Sequence, residues 1–271
     1  MINTNIDKYT DISYIQRGGT SHILKGLNKY NQKLCVIKLS IDAEKDAHIY
    51  DEGFLLGKIN HKNIIRLLDI NKIGNRAYLV LELLEGQTLQ DYVIQNSPIN
   101  YSEIIYILEQ ICDGLAYLHN KNIVHKDLQP RNIFYCTNGD IKILDFGLSA
   151  IKNQKQNIKA KKNIVGMIDF ISPKQILNSG LTETWSDLYS LASILYFLDT
   201  GKKMFENKSL NLKIRNKLLG YYPIHNIQNL DLKELFEHII LLYEYKSDNI
   251  QKIVDLIHLK KIIDKWHYVK S

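Results

Sequence analysis

The stretch that decides the fold is Ile123-Val124-His125-Lys126-Asp127-Leu128-Gln129-Pro130-Arg131-Asn132, followed shortly by Ile143-Leu144-Asp145-Phe146-Gly147. An Asp is followed by an Asn in the first segment, and a second Asp opens an Asp-Phe-Gly in the next. Phosphoryl transfer needs a carboxylate near the attacking hydroxyl and oxygen ligands that hold magnesium on the phosphates. Asp127, Asn132 and Asp145 supply groups of these kinds, in this order.

The two segments resemble the signature of the eukaryotic-type (Hanks-type) protein kinase family, His-Arg-Asp-Leu-x-x-x-Asn followed by Asp-Phe-Gly. The ordered set is far more specific than either short motif. The resemblance implies that Asp127 orients or deprotonates an acceptor hydroxyl and that Asn132 and Asp145 hold magnesium. Recognisable motifs run from about Ile15 to Leu198 and fade over the last part of the chain.

Two further charged residues of the family pattern lie upstream. Val36-Ile37-Lys38 ends a predicted strand, and the resemblance implies that Lys38 pairs with the α- and β-phosphates of ATP. Glu52 precedes His61-Lys62-Asn63-Ile64 at the family's spacing, so it is the expected helix partner of Lys38. Glu44 is the competing choice.

Leu79-Val80-Leu81-Glu82-Leu83-Leu84-Glu85-Gly86 resembles the family's hinge. The resemblance implies that Leu81 guards the inner pocket and that backbone groups of Glu82 and Leu84 bind the adenine edge. Leu84 also belongs to the set expected around the nucleotide. The other members of this set are Ile15, Gly18, Gly19, Ile23, Val36 and Phe134.

Apolar patterning predicts an α+β chain that changes from strands to helices near Leu84. The predicted strands cover residues 12–27, 34–40, 64–70 and 77–83, with one helix over 42–59. The later helices are predicted over residues 101–119, 185–198, 232–245 and 249–263. We divide the chain into a β-rich nucleotide-binding lobe, residues 1–84, and a helical catalytic lobe, residues 85–271. By resemblance, they form one two-lobed protein-kinase-like domain with a small antiparallel N-terminal sheet and one key helix.

The phosphate-covering loop departs from the family. Of the motif Gly-x-Gly-x-x-Gly, only the middle glycine survives, in Gln16-Arg17-Gly18-Gly19-Thr20-Ser21. Glycine lets the backbone approach phosphate closely and adopt positive φ. We therefore expect weaker ATP binding or slower turnover, with Gly19 compensating in part.

Four positions leave open whether the acceptor is serine, threonine or tyrosine. Gln129 replaces the lysine of serine/threonine kinases, and Arg131 matches the arginine of the tyrosine-kinase form, so we expect Arg131 to stabilise charge on the transferred group. Met167 stands where serine/threonine kinases have threonine. Lys174 stands where the family has a glutamate, and no arginine follows Arg215 to act as its partner.

Asp187, in Trp185-Ser186-Asp187, matches the family's aspartate on a buried central helix. A buried carboxylate needs partners there. The resemblance implies that it holds the backbone of the catalytic loop. Asp187 and Ser172-Pro173 favour a protein acceptor, with serine or threonine preferred and tyrosine as the alternative.

The loop from Ser149 to Asn163 contains no Thr or Tyr, and Lys126 replaces the arginine that often clamps a phosphorylated loop in relatives. We therefore expect that phosphorylation of this loop is not the activating switch. The loop is strongly basic, which indicates either a solvated surface or a docking site for an acidic or nucleic-acid partner. Its lysines are Lys152, Lys155, Lys159, Lys161 and Lys162.

Composition narrows the class of protein. The 271 residues are 45% hydrophobic and 24% charged, which is typical of a globular chain, and the net charge is +6. No apolar run could span a bilayer, and the start lacks a signal-peptide pattern. Three widely spaced cysteines predict buried thiols in a reducing cytosol, without disulfides or a metal site.

The leading interpretation is a cytoplasmic protein kinase that uses ATP and Mg²⁺ to phosphorylate a protein hydroxyl, on a substrate that the basic loop suggests is acidic. The degraded glycine loop and Lys174 favour a pseudokinase, a binding or scaffold module of the same fold. The third hypothesis is a kinase of a non-protein acceptor, either RNA or a small molecule.

Overall fold

The computed structural model describes residues 6–152, 168–178, 183–206 and 208–270, and in the last helix the side chains of 251–258, 260 and 261. The chain divides into two compact units. The first runs to Glu85 and includes Asp145–Gly147, and the second holds the remaining described residues.

The first unit is built on a five-stranded antiparallel sheet with the order β1-β2-β3-β5-β4. Its strands are β1 (Tyr9–Arg17), β2 (Ser21–Asn28), β3 (Leu34–Ser40), β4 (Leu67–Ile73) and β5 (Arg76–Glu82). The apolar run predicted over residues 12–27 is two strands, because the chain reverses at Gly18-Gly19-Thr20. There the Gly18 N–H donates to the Ser21 carbonyl at 2.8 Å.

The register of β3 gives the two faces of this sheet different roles. Ile23 lies opposite Lys38, and Val36 lies opposite Leu81, so these four side chains share one face. Ile37 points to the other face, which covers a small apolar core. The buried members of that core are Ile6, Tyr9, Leu24, Cys35, Ile37, Leu39, Tyr78 and Val80.

Helix α1 (Asp46–Leu56) follows a 3₁₀ turn over Ala43–Lys45, and together they account for the helix predicted over residues 42–59. Gly53 allows α1 to approach the sheet closely. A Cβ at Gly53 would lie 2.4 Å from Ile70 Cδ1 and 2.8 Å from Leu79 Cδ2. The absence of a side chain at Gly53 therefore lets the buried Glu52 come near β3.

The second unit contains the long helices that the sequence predicts and shorter elements that it does not. The predicted ends agree within a few residues, except that the last helix continues from the predicted end at residue 263 to Lys270. Its helices are α2 (Leu89–Asn96), α3 (Tyr101–Asn120), α4 (Pro173–Leu177), α5 (Trp185–Thr200), α6 (Leu210–Leu218), α7 (Leu230–Glu244) and α8 (Gln251–Lys270). Every residue from Trp185 to Leu198 is buried, so α5 is the centre of this unit. It ends at Gly201, which has φ +67°, a conformation that glycine adopts readily.

Short strands position the loop between α3 and α5. They are β6 (Gly86–Thr88), β7 (Ile123–Val124), β8 (Ile133–Cys136), β9 (Ile141–Ile143) and β10 (Ala150–Ile151). β6, β8 and β9 form one sheet, and β7 pairs with β10. Residues 125–132 therefore form a loop whose two ends are both held by strands.

All three cysteines, Cys35, Cys112 and Cys136, are buried free thiols. Within the part of the chain that the structure describes, no helix combines the length and apolar composition that a membrane crossing needs.

Candidate active site

Lys38 of β3 lies between two carboxylates of the first unit. Its Nζ is 2.9 and 2.7 Å from the two carboxylate oxygens of Glu52 and 2.9 Å from Asp145 Oδ1. Burial alone lowers the pKa of Lys38, but Asp145 and Glu52 outweigh burial, so the pKa is raised overall. Burial also raises the pKa of Glu52, against the attraction of Lys38. The helix partner of Lys38 is therefore Glu52 and not Glu44, and the lysine is charged at neutral pH.

Asp145 combines an exposed carboxylate with an unusual backbone. Its side chain is 48% exposed, although Lys38 beside it is 11% exposed. Its φ is +56°, a left-handed conformation that is uncommon outside glycine. The Gly147 N–H donates to Asp145 Oδ1 at 3.3 Å, which helps to hold the carboxylate toward Lys38. The strained backbone and the exposed carboxylate together point to a ligand-binding role.

The predicted adenine residues of the first unit lie on and beside the Lys38 face. Ile23, Val36 and Leu81 are half-buried there, and Leu84, just after β5, is also half-buried. The backbone N–H of Glu82 donates to the Arg66 carbonyl at 3.1 Å, so this N–H is used within the unit.

The predicted phosphate loop is open to solvent. Gly18 and Gly19 are exposed, and neither has a φ in the left-handed region. A Cβ at Gly19 would meet no atom within 4 Å. Ile15, on β1, is 48% exposed. The conformation of this loop in the structure does not itself require glycine.

Asp127, in the second unit, has both carboxylate oxygens oriented by amides. Gln129 Nε2 donates to Oδ1 at 2.7 Å, and Asn132 Nδ2 donates to Oδ2 at 2.9 Å. Asn132 Nδ2 also donates to the Asp127 carbonyl at 2.8 Å, which closes the loop on itself. The structure thus places Asp127, Gln129 and Asn132 in one hydrogen-bonded group.

Arg131 is bonded to α2. Its side chain is exposed, and its Nε donates to Gln90 Oε1 of α2 at 2.9 Å. Sequence reasoning passed over Gln129 in favour of Arg131, although Gln129 occupies the family's lysine position two residues after Asp127. In this structure the residue bonded to Asp127 is Gln129. Phe134, the other predicted site residue of this unit, is half-buried in β8.

Asp187 of α5 holds the start of the catalytic loop, as predicted. Its Oδ1 accepts from the Lys126 N–H at 3.0 Å, and its Oδ2 accepts from the His125 N–H at 3.0 Å and lies 2.9 Å from His119 Nε2. Burial raises the pKa of Asp187, but these hydrogen bonds and the charge of His119 outweigh it, and the pKa falls below its ordinary 3.8. The bond to the Lys126 N–H stabilises a residue with φ +68° directly before Asp127.

Lys174 contacts two aromatic rings at the position where the family has a glutamate that pairs with an arginine. Its Nζ lies 4.7 Å from the centroid of the Trp185 ring and 5.1 Å from that of Tyr243, which are cation–π distances. Burial lowers the pKa of Lys174, and Lys246 lowers it further. The position of the family's glutamate is therefore still anchored, by a different interaction.

Only the start of the basic loop is described. Lys152 is paired with Asp248 and lies 3.7 Å from Glu183, so it contributes to the packing of the second unit. Met167 and the four remaining lysines of the predicted basic loop lie outside the described residues. Those lysines are Lys155, Lys159, Lys161 and Lys162.

Comparison with known proteins agrees with this geometry. Residues 9–262 match the family model for the protein kinase domain. The chain therefore belongs to the protein kinase family, and the predicted α+β kinase fold is confirmed. The catalytic and binding roles of individual residues stay predictions.

Three relatives illustrate the similarity. The chain is 30% identical over 75% of its length to a probable serine/threonine-protein kinase, PknB, of Lactococcus lactis, and covers 33% of that protein. It is 32% identical over 68% of its length to the serine/threonine-protein kinase PrkC of Bacillus subtilis, and covers 28% of it. It is 30% identical over 92% of its length to calcium-dependent protein kinase 5 of Plasmodium berghei, and covers 44% of it. The chain thus spans less than half the length of these relatives.

Proposed function

We propose that this chain is an ATP- and Mg²⁺-dependent protein kinase that transfers the γ-phosphate to a serine or threonine hydroxyl. The observation that carries the proposal is the Lys38 group, a buried ammonium within 3.0 Å of both Glu52 and Asp145. Burying a cation or a carboxylate costs free energy, and pairing the two groups offsets only part of that cost. A cation fixed in this way is suited to hold phosphate oxygens.

The adenine would lie on the sheet face that carries Lys38. Ile23, Val36 and Leu81 supply half-buried apolar surface on that face. Because the Glu82 N–H is used within the unit, the Glu82 carbonyl and the backbone of Leu84 are the proposed polar contacts. Phe134, Ile15, Gly18 and Gly19 complete the proposed nucleotide set.

The donor atoms suit magnesium. Asp145 offers a half-exposed carboxylate, and the amide nitrogen of Asn132 is used by Asp127, which leaves the amide oxygen as the cation-binding atom. Mg²⁺ prefers such hard oxygen ligands and takes others from phosphates and water. When bound, the metal would neutralise phosphate charge that develops during transfer.

Asp127 would accept the proton of the acceptor hydroxyl as its oxygen attacks the γ-phosphorus. A bond forms between the acceptor oxygen and the γ-phosphorus, the bond between the γ-phosphorus and the β–γ bridging oxygen breaks, and ADP leaves. Gln129 and Asn132 hold the Asp127 carboxylate in one orientation, which contributes to catalysis through positioning. Unlike a lysine, Gln129 brings no charge, so Arg131 remains our candidate for stabilising charge on the transferred group.

We also propose that phosphorylation of the activation loop is not the switch. Ser149 is the one hydroxyl residue between Ser149 and Asn163. It is buried, and its Oγ donates to the His125 carbonyl at 3.0 Å. A kinase could phosphorylate Ser149 only after this part of the unit opened.

The test is phosphate incorporation from ATP and Mg²⁺ into the protein itself and into added dephosphorylated casein, followed by mass spectrometry. Parent protein should incorporate phosphate on serine or threonine. Lys38→Met and Asp127→Asn should each lower the rate by about 100-fold or more. Two matched controls, Lys72→Met and Asp140→Asn, change exposed residues of the same types and should leave it unchanged.

Other outcomes would assign another function. Label on RNA or a metabolite but never on protein would indicate a non-protein acceptor. A parent protein that incorporates no phosphate and shows no thermal shift with ATP and Mg²⁺ would reject the enzyme proposal and favour a pseudokinase.

A further inference from the structure

Lys217 is a lysine buried inside the second unit. It belongs to α6 and is 1% exposed, and its Nζ lies 4.6 Å from the centroid of the Tyr189 ring. Burial lowers its pKa to about 7, even though Asp169 acts in the opposite direction. A buried lysine costs stability that an apolar side chain of similar volume would not. Its presence therefore needs a reason other than core packing.

The hydrogen bonds of Lys217 give that reason. Its Nζ donates to the carbonyl of Asp169 at 3.1 Å and to that of Ile171 at 2.9 Å. Ser190 Oγ of α5 donates to the intervening carbonyl of Phe170 at 3.0 Å. Three consecutive carbonyls thus accept hydrogen bonds from side chains of α5 and α6, which fixes the backbone of this short segment.

The side chain of Asp169 adds an ionic anchor. Its carboxylate lies 2.6 Å from Lys213 Nζ and 3.4 Å from Lys203 Nζ, and its side chain is 7% exposed. Residues on and just before α6 therefore bind both the backbone and the side chain of Asp169. We call residues 168–172 the anchored segment.

The anchored segment is linked through α4 to the loop of residues 125–132. It ends at Ser172, which caps α4 in a capping box with Gln175. Gln175 Nε2 donates to the Lys126 carbonyl at 3.3 Å, and Lys126 precedes Asp127. Within the second unit, Ser172 and Gln175 therefore connect the anchored segment to the loop that carries the proposed acceptor-binding carboxylate.

We propose that Lys217 is a positioning residue for the acceptor, because its two hydrogen bonds hold the anchored segment as the edge on which an acceptor polypeptide lies. The proposal rests on the proposed function and deepens it. It assigns to the α6 lysines a role that the aligned motifs do not cover. ATP binding should not depend on Lys217, because none of the proposed nucleotide contacts lies in the anchored segment or on α6.

The test compares Lys217→Met with Arg215→Met, which removes an exposed charge from the same helix. With dephosphorylated casein as the probe, Lys217→Met should lower kcat/KM for the acceptor by about 10-fold or more, because it removes both hydrogen bonds from Lys217 to the anchored segment. The KM for ATP should stay within about 2-fold of the parent value. Arg215→Met should change neither. The proposal would be overturned if Lys217→Met changed kcat/KM for the acceptor and the KM for ATP by equal factors, or changed neither.

Amide hydrogen exchange gives a measurement that does not need activity. Lys217→Met should lose protection over residues 168–178, Ser190→Ala should lose part of it, and Arg215→Met should keep it. Unchanged protection in Lys217→Met would overturn the anchor itself. If the parent transfers no phosphate, the proposed function and the acceptor role both fail, while exchange still decides whether Lys217 anchors the segment.

Discussion

Replacing Asp187 by asparagine should release the catalytic loop while keeping the size of the side chain. Asp187 accepts hydrogen bonds from the backbone N–H groups of His125 and Lys126 and contacts His119 Nε2. An asparagine has one acceptor oxygen and one donor nitrogen in place of two acceptor oxygens. If its oxygen stays on the Lys126 N–H, its nitrogen faces the His125 N–H and His119 Nε2.

The expected loss follows from the His125 N–H, which then faces an amide nitrogen and loses its acceptor, whereas His119 Nε2 can accept a hydrogen bond from that nitrogen. A hydrogen bond to a charged group contributes about 1.5–3 kcal/mol, so the loss should be about 1.5–3 kcal/mol. That is a sizeable share of the typical unfolding free energy of about 5–15 kcal/mol. Because Lys126 is held at φ +68° next to Asp127, the rate of phosphate transfer should fall as well.

The assay is urea unfolding of the parent, Asp187→Asn and a matched control, Asp199→Asn. Asp199 lies on the same helix and accepts from one backbone N–H, that of Gln228. Asp199→Asn should therefore lower the free energy of unfolding clearly less than Asp187→Asn does. The pKa of Asp187 is lowered in the folded state, so its contribution is fully present above its ordinary value of 3.8. This contribution is lost as pH falls through the lower folded-state value. The parent and Asp187→Asn should therefore differ most near neutral pH and converge in acid.

The reasoning is refuted if Asp187→Asn costs under about 1 kcal/mol at pH 7, the size of one ordinary neutral hydrogen bond. A loss equal to that of Asp199→Asn would also refute it. So would a difference between parent and Asp187→Asn that does not shrink as the pH falls below 3.8.

Three more predictions follow from the same structure. Gly19→Ala should leave the free energy of unfolding equal or raise it by up to about 1 kcal/mol, because a Cβ there meets no atom within 4 Å. If the same variant raises the KM for ATP, the loop at Gly19 contacts the phosphates. Gln129→Ala removes one of the two amides on Asp127 and should lower kcat about 10-fold, with the KM for ATP unchanged, in steady-state kinetics. In urea unfolding, the parent should gain about 2 kcal/mol over Lys217→Met between pH 7 and 9. Burial lowers the pKa of Lys217 to about 7 in the folded chain, against its ordinary 10.5 in the unfolded chain, so over this range the unfolded chain binds the extra proton.

Much of the fold was readable because it depends on local patterns. The apolar repeat of Tyr101–His119 and the all-apolar run of Trp185–Leu198 each predicted a helix that the structure contains. Helix α6 was missed because its apolar residues do not form one clear stripe, and it is held by lysines that bind Asp169. The short strands around residues 125–132 were missed because two to four residues carry too little pattern.

The sequence by itself determined the family and the polar groups of the candidate site, because kinase motifs keep Lys38, Asp127, Asn132 and Asp145 in a recognisable order. Only the tertiary structure decided which neighbour each group binds. Gln129 bonds to Asp127, and the buried Lys217 bonds to a carbonyl 48 residues earlier in the chain. Spacing along the chain cannot give such contacts, because they form only when helix packing brings distant residues together and removes water from between them.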